Sequence, residues 1–414
     1  MTKGVSSKAP VLIVGAGLSG LACATTLKNA GVPFLLLDRS ERVGGRVQTD
    51  DVSGYRLDRG FQVLLTAYPE ARRFLDFEKL DLQACYPGSK VWYRGQFHQV
   101  SDPFRHPWAG VKSLATPIGS LGDKVRVGLL RMGFLSGKSM PDDLSTIEAL
   151  RKWGFGSSMI DRFWVPFMRG VFLENELNTS VRKFEETFRF FSKGDTVLPR
   201  KGIGEIPAQL ASRLPASCMI LGTEIAHAQA RKVYAKNGEV WEGAAVVLAT
   251  EREQALKLLG GNSGKGEWNA VDCLYFSLPR AFLPSEDPIL YLDGSGEGPV
   301  NNLTFVSNIS DCAPKGQALV SMSVIGRKDQ SIGEITEDAR RQVRKWFGES
   351  VKHWNFLDAY RICHAVPSCP SPLRADPMFT EVYRCGDYLG LPSIDSAMRS
   401  GRETAESIIE SHFS

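Results

Sequence analysis

Val11-Leu12-Ile13-Val14-Gly15-Ala16-Gly17-Leu18-Ser19-Gly20 is an apolar run that empties into a G-x-G-x-x-G. Four consecutive apolar residues of this kind read as a central parallel strand, buried on both faces. Each glycine answers a separate steric demand. Gly15 permits the tight turn, Gly17 lets a pyrophosphate approach the backbone, and Gly20 lets the next helix pack closely on the strand. That helix, expected over 18–29 with Leu18 and Ser19 in its first turn, aims free amides and a positive dipole end at the phosphates. Gly31 ends it. A second apolar run, Phe34-Leu35-Leu36-Leu37, finishes in Asp38 and Arg39, about 20 residues beyond the loop, where a carboxylate accepts hydrogen bonds from ribose hydroxyls. Strand, loop, helix, strand and acid in this order predict a dinucleotide-binding unit.

Composition agrees with a large globular protein and excludes several other classes. A chain of 414 residues exceeds one core and implies two or three domains. Hydrophobic residues make up 43% and charged residues 23%, and no run of about 18 apolar residues exists to span a bilayer. Membrane contact is therefore expected to be peripheral at most. Met1 to Pro10 is polar and enters the first strand without an apolar leader, which reads as a short tail on a cytoplasmic protein. The eight cysteines form no C-x-x-C pair and no zinc-spaced set with histidine, so no metal is expected. A net charge of +4, with no basic run, sets nucleic acid aside.

NAD and FAD both use such a unit, and the residues downstream bear on the choice. Glu41-Arg42-Val43-Gly44-Gly45-Arg46 is followed by Leu57-Asp58-Arg59-Gly60-Phe61-Gln62. Gly44 and Gly45 let the backbone pass close to a cofactor, and Arg46 offers a guanidinium to pyrophosphate oxygens. Here the chain resembles the flavin amine oxidase superfamily, which includes monoamine oxidases, protoporphyrinogen oxidase and phytoene desaturases. That family couples a dinucleotide loop to a G-G-R and a following D-x-G. The resemblance implies FAD, and adds Gly60, Phe61 and Gln62 to the cofactor site.

Cys385-Gly386-Asp387 and then Ser393-Ile394-Asp395-Ser396-Ala397-Met398-Arg399-Ser400-Gly401 resemble the family's terminal flavin motif. The resemblance places Gly386 and Asp387 at the ribityl or pyrophosphate region. It sets a helix N-terminus, near Ser393 and Ile394, under the flavin pyrimidine, with Ala397 one turn on. A helix N-terminus stabilises the anionic reduced ring. Ala397, Ser400 and Gly401 recur at helical spacing, which suits either close approach to the cofactor or ordinary helix packing. Leu198 to Gly204 resembles the loop returning from the substrate domain. Asn237-Gly238 predicts a hairpin turn, and Ala245 to Thr250 a strand rejoining the main sheet. The family's backbone contact to adenine falls on Ile225, and Thr250 completes the expected site.

The implied fold is α/β: a Rossmann-type, GR2-like FAD-binding domain from 1–75, 197–260 and 370–414, with a discontinuous α+β substrate domain from 76–196 and 261–369. Residues 105–196 read as helical, with 124–134 amphipathic and a capping box of Ser145 with Glu148. Strands are expected at 303–308 and 318–324, and an exposed helix at 336–347. Phe163 to Phe172 resembles the aromatic, proline-broken segment of the protoporphyrinogen oxidase and phytoene desaturase branch; such a segment serves a pocket or plain core.

The expected function is an FAD-dependent oxidoreductase that accepts a hydride at flavin N5 from a small organic substrate, apolar and isoprenoid- or tetrapyrrole-like. An amine oxidase, needing an aromatic pair for which Tyr388 is one candidate, and a flavin-binding protein without turnover remain as alternatives. No lysine aligns with the one amine oxidases place near N5, so no catalytic acid or base is assigned. His364 reads as structural. With no cysteine placed for attachment, the FAD is expected to be non-covalent. The electron acceptor is open.

Overall fold

A computed structural model describes residues 9–137, 143–261, 267–326, 329–370 and 382–413. The polar tail over 1–8 and the stretch 371–381, both assigned above to the FAD domain, lie outside the described residues. Val11–Val14 is the middle of a parallel sheet. Phe34–Leu37 lies on one side and Ala245–Leu248 on the other, with Val11 opposite both Phe34 and Ala245. Met219–Ile220 and Tyr383–Arg384 complete five strands among the described residues.

The near-uniform apolarity of these strands follows from burial on both faces. Ile13, Leu36 and Val247 pack toward the helices Leu18–Asn29 and Ile394–His412. Leu12, Val14 and Leu248 pack instead toward the hairpin strands Ile225–Gln229 and Lys232–Ala235 and the helix Arg252–Leu258. Lys232–Ala235 pairs in turn with Val240–Glu242, and this second hairpin turns at Asn237-Gly238, with Gly238 at φ +91°.

A second, seven-stranded sheet runs in the order Asn355–Pro367, Trp268–Pro279, Gln317–Ile325, Val300–Phe305, Leu290–Asp293, Gly88–Tyr93, Gln96–Ser101. It is antiparallel except between Leu290–Asp293 and Gly88–Tyr93. Period-two alternation splits Trp268–Pro279 between two cores. Leu274, Phe276 and Leu278 face the cluster beneath helix Ile332–Phe347, while Cys273 and Tyr275 face the FAD-domain cluster.

Three expectations need correction. The strand expected at 303–308 starts at Val300 and stops at Phe305, because the chain turns through a 3₁₀ helix over Val306–Asn308. The helix expected from 336 begins at Ile332, opened by a capping box of Ser331 with Glu334. It is half-buried rather than exposed, since Ile335, Ala339, Val343 and Trp346 seat it on the sheet. Finally, Pro166 does not break its segment. A π-turn over Ile160–Trp164 leads directly into helix Val165–Phe172, where Pro166 lies in the first turn and needs no intrahelical N–H partner. The capping box at Ser145 is as expected, with Ser145 N donating to Glu148 Oε2 at 2.8 Å.

Candidate active site

The glycine loop, the Gly44-Gly45-Arg46 turn and the start of the terminal helix meet on one cavity of about 1720 Å³. Pockets for ordinary small ligands occupy roughly 300–1,000 Å³. The excess leaves room for a dinucleotide and a second molecule together.

At the loop, Gly17 caps helix Leu18–Asn29 and supplies no side chain to its amides. The first-turn N–H groups therefore remain for a ligand. A Cβ built on Gly17 meets nothing within 4 Å, so this position opens on the cavity and is a cradle a side chain would fill. Gly15, at φ +114°, would put a Cβ 2.6 Å from Ala249 O. Gly20 would put one 1.9 Å from Gly15 O. Gly20 is the one expected site residue that does not line the cavity; it serves the strand–helix contact beneath. Leu18 and Ser19 line it beside Gly15 and Gly17. Gly44 N donates to Ala16 O at 2.8 Å, which lays Gly44 and Gly45 alongside the loop.

Asp38 braces this loop. Its Oδ2 accepts from Ala16 N at 2.6 Å and its Oδ1 from Ser40 N at 2.7 Å. Thr223 N donates to the Asp38 carbonyl at 2.8 Å, bringing the distant 222–225 segment to the same corner. Arg39, Ile225 and Thr250 line the cavity there.

Arg46 joins the two ends of the chain. Its Nη2 lies 2.6 Å from Asp387 Oδ1 and its Nη1 donates to Ala365 O at 3.1 Å. Gln62 Nε2 donates to the Arg46 carbonyl at 3.0 Å, and Gly60 and Phe61 continue the wall. Gly386, Asp387, Ser393, Ile394 and Ala397 line it from the C-terminal side. Ser393 Oγ accepts from Ser396 N at 3.0 Å and caps the terminal helix.

The small-residue stripe divides its work. Ala397 faces the cavity, Ser400 Oγ accepts from Gly386 N at 3.1 Å, and a Cβ on Gly401 would sit 2.0 Å from Ser19 O. Gly401 thus lets the two helices touch. Tyr388 packs on Gly386 and does not line the cavity, so it supplies no aromatic wall.

Asp58 of the D-x-G is a structural acid. Its Oδ1 accepts from Thr49 Oγ1 at 2.6 Å and Ile203 N at 3.0 Å, tying in the returning loop. Burial, against those two hydrogen bonds, pushes its carboxyl up to about 6.

Three residues that sequence reading passed over or set aside also reach the cavity. His364 lines it, with Nδ1 3.1 Å from Glu251 Oε2 and its ring stacked on Trp268 at 5.0 Å. Glu251 lines it too. Lys183, from helix Val181–Lys193, lines the wall with a largely buried side chain, its Nζ 3.8 Å from Glu186 Oε2. Burial pulls its pKa below the usual lysine value, opposed by Glu186. No motif surrounds Lys183; the only cue is a cation on the apolar side of an amphipathic helix.

Away from the loop the cavity is aromatic. Phe163 stacks on Phe167 at 5.6 Å, and Phe167 meets Phe191 at 5.6 Å. Trp164, 0% exposed, and Phe172 touch the cavity from within a core cluster that also holds Met168. The aromatic segment is therefore both pocket and core, with Trp164 and Phe172 serving both. Among the described residues no His, Cys, Asp or Glu group has the arrangement of a metal site.

A parallel sheet whose glycine loop opens on this cavity, with an aromatic half beyond it, makes a dinucleotide-binding fold with room for a second molecule. The chain belongs to the family of flavin containing amine oxidoreductases, whose model matches residues 18–409. Phytoene desaturase of Neurospora crassa is 33% identical over 89 residues, covering 20% of this chain and 15% of that protein. Protoporphyrinogen oxidase 2 of Arabidopsis thaliana is 27% identical over 164 residues, covering 39% of this chain and 32% of that protein. The matched segments thus span a third or less of these curated relatives. An oxidoreductase from Methanosarcina mazei superposes with a TM-score of 0.74 at 16% identity, over 97% of this chain and all of that one, and at that identity the likeness speaks to fold alone.

Proposed function

We propose that this protein holds FAD non-covalently and oxidises an apolar organic substrate of isoprenoid- or tetrapyrrole-like size. The observation that carries the reading is the single cavity with two unlike halves, polar and glycine-lined at one end and aromatic at the other. FAD, when bound, supplies a two-electron acceptor for a hydride from substrate carbon.

The chain's own residues bind and orient. Gly15, Gly17, Leu18 and Ser19 present backbone to the pyrophosphate, Arg46 adds a charge-assisted donor, and Asp38, Ile225 and Thr250 hold the adenosine end. Asp387 and the capped helix from Ile394 hold the ribityl and pyrimidine portions. Phe163, Phe167 and Phe191 exclude water from the substrate half, where an apolar molecule gains about 25 cal/mol per Å² buried. Cys385 is buried and desolvated, which pushes its thiol well above the usual range and keeps it inert. Anaerobic mixing of the yellow protein with polyenes, porphyrinogens and amines tests the reading. Bleaching by a polyene or porphyrinogen supports it; bleaching by amines alone transfers it to the amine oxidase alternative; no bleaching by any leaves a flavin-binding protein without turnover.

A peripheral lipid contact has its own support. Leu121, Val125, Leu129 and Met132 form an exposed stripe along helix Leu121–Leu135, and Trp108, 85% exposed, stands nearby in sequence. Over 103–137 five Lys and Arg face a single acid, Asp123, and that acid is buried. Phe104, Leu114 and Arg131 of the same region line the cavity, so an anionic bilayer here adjoins the substrate half. No helix of the described residues is long and apolar enough to cross a membrane. Co-sedimentation with phosphatidylcholine–phosphatidylglycerol vesicles, lost in Val125→Glu/Leu129→Glu, is the expected result. No binding by the native protein, or a native dimer that the same variant dissolves, would overturn it.

A further inference from the structure

Lys183 is an expensive residue to keep in this wall. Its side chain is 9% exposed, and its nearest charged partner among the described residues is Glu186 at 3.8 Å, beyond hydrogen-bond length. Burial of most of this side chain carries a desolvation cost, opposed by Glu186. The helix that carries it is pinned: Ser180 N donates to Cys369 O at 2.8 Å, at the end of the second sheet's outer strand. From this helix Lys183 lines the cavity wall.

The charges around it form a chain that ends at the cavity. Glu186 is 4.0 Å from Arg399, Arg399 is 2.9 Å from Asp395, and Asp395, 1% exposed, accepts from Glu70 N at 2.8 Å. Asp395 and Arg399 belong to the first two turns of the terminal helix. Each inner member is held by the next. Lys183 is the terminal member, the one that lines the cavity, together with Ile394 and Ala397 of the helix entry.

We propose that Lys183 is the cation that tunes the potential of the bound flavin, adding its charge to the helix entry on the wall where the pyrimidine ring is read to lie. The inference rests on the proposed FAD placement. Two positive features then face one place, the dipole end of helix Ile394–His412 and the Lys183 ammonium, and both favour the reduced, anionic ring over the neutral oxidised one. A substrate carboxylate is the competing occupant. The apolar lining at Phe163, Phe167 and Phe191 suits an uncharged substrate, which leaves the flavin as the occupant this cation serves.

Redox titration of the FAD-loaded protein decides it, with Lys183→Met, Lys183→Gln and Lys183→Arg. A unit charge a few ångström from another in protein surroundings alters an equilibrium by tenfold or more. Lys183→Met is therefore expected to keep its FAD while losing about tenfold in its preference for reduced over oxidised flavin, a fall of about 30 mV for a two-electron couple. Lys183→Gln gives the same fall should the Met variant fold poorly, and Lys183→Arg stays within about threefold of the native protein. A fully loaded Lys183→Met at the native potential overturns the inference, and does so decisively if only the substrate KM rises. A native protein that takes up no FAD sinks the proposed function instead, and is seen before any variant is made.

Discussion

Gly17 and Gly20 stand three residues apart in one motif, yet the structure gives them opposite sensitivities. Gly17 has φ −73° and ψ −180°, a conformation open to any residue, and its absent Cβ faces open space. Gly17→Val should leave the apo protein within about 1 kcal/mol of native stability, since loss of a tolerated cap and gain of chain stiffness roughly offset. Its methyl groups would stand where pyrophosphate oxygens must reach the loop amides. Two charge-assisted hydrogen bonds lost at about 1.5–3 kcal/mol each amount to at least about 3 kcal/mol, more than a hundredfold in Kd. Gly20→Ala is the reverse case. Its methyl lands 1.9 Å from Gly15 O, a backbone atom that must move, with an overpacking cost of about 1–3 kcal/mol or more. The assay pairs urea unfolding of the apo proteins with FAD titration of the refolded apo forms. Native FAD affinity in Gly17→Val would refute the cradle, and native stability in Gly20→Ala would refute the packing argument.

Other perturbations give equally definite outcomes. Arg46→Ala leaves Asp387, 7% exposed, without its ion-pair partner; a loss of about 3–5 kcal/mol is expected, and Arg46→Ala/Asp387→Ala should cost less than the two single changes added, as a double-mutant cycle in urea would register. Asp58 has its carboxyl raised to about 6 in the fold, against about 3.9 in an unfolded chain. The folded state binds the extra proton between these values, so stability falls as pH rises from about 4 to about 6, by on the order of 2–3 kcal/mol. Asp58→Asn should flatten that stretch of the stability–pH curve, and an unchanged slope would contradict the assignment. Truncation after Gly390 removes Met398, Ala405 and Ile408 from the core as well as the helix entry, so both folding and FAD content should fail, whereas deleting 411–414 should be nearly silent in thermal melts. Acid precipitation should release all the yellow colour; flavin retained on the precipitate would point to a cavity thiol such as Cys363 or Cys369.

Local chemistry made one half of this protein legible in its sequence. A strand buried on both faces must be apolar throughout, a backbone that turns sharply under a phosphate must be glycine, and a helix start without a capping side chain must be read against its loop. Those demands act within a few residues, so Val11 to Gly20, Asp38, the hairpin at Asn237-Gly238 and the capping box at Ser145 could be read directly. The segment Phe163 to Phe172 could not be apportioned in advance, because core and pocket both call for aromatic residues and Trp164 and Phe172 serve both. Tertiary packing alone decided the rest. It set Arg46 on Asp387, 341 residues away, and moved Gly20 off the cavity wall. It laid His364 on Trp268 beside Glu251, and turned Lys183 inward beside the terminal helix. Such pairings carry no sequence signature, since burial and charge proximity are properties of space and not of spacing along the chain.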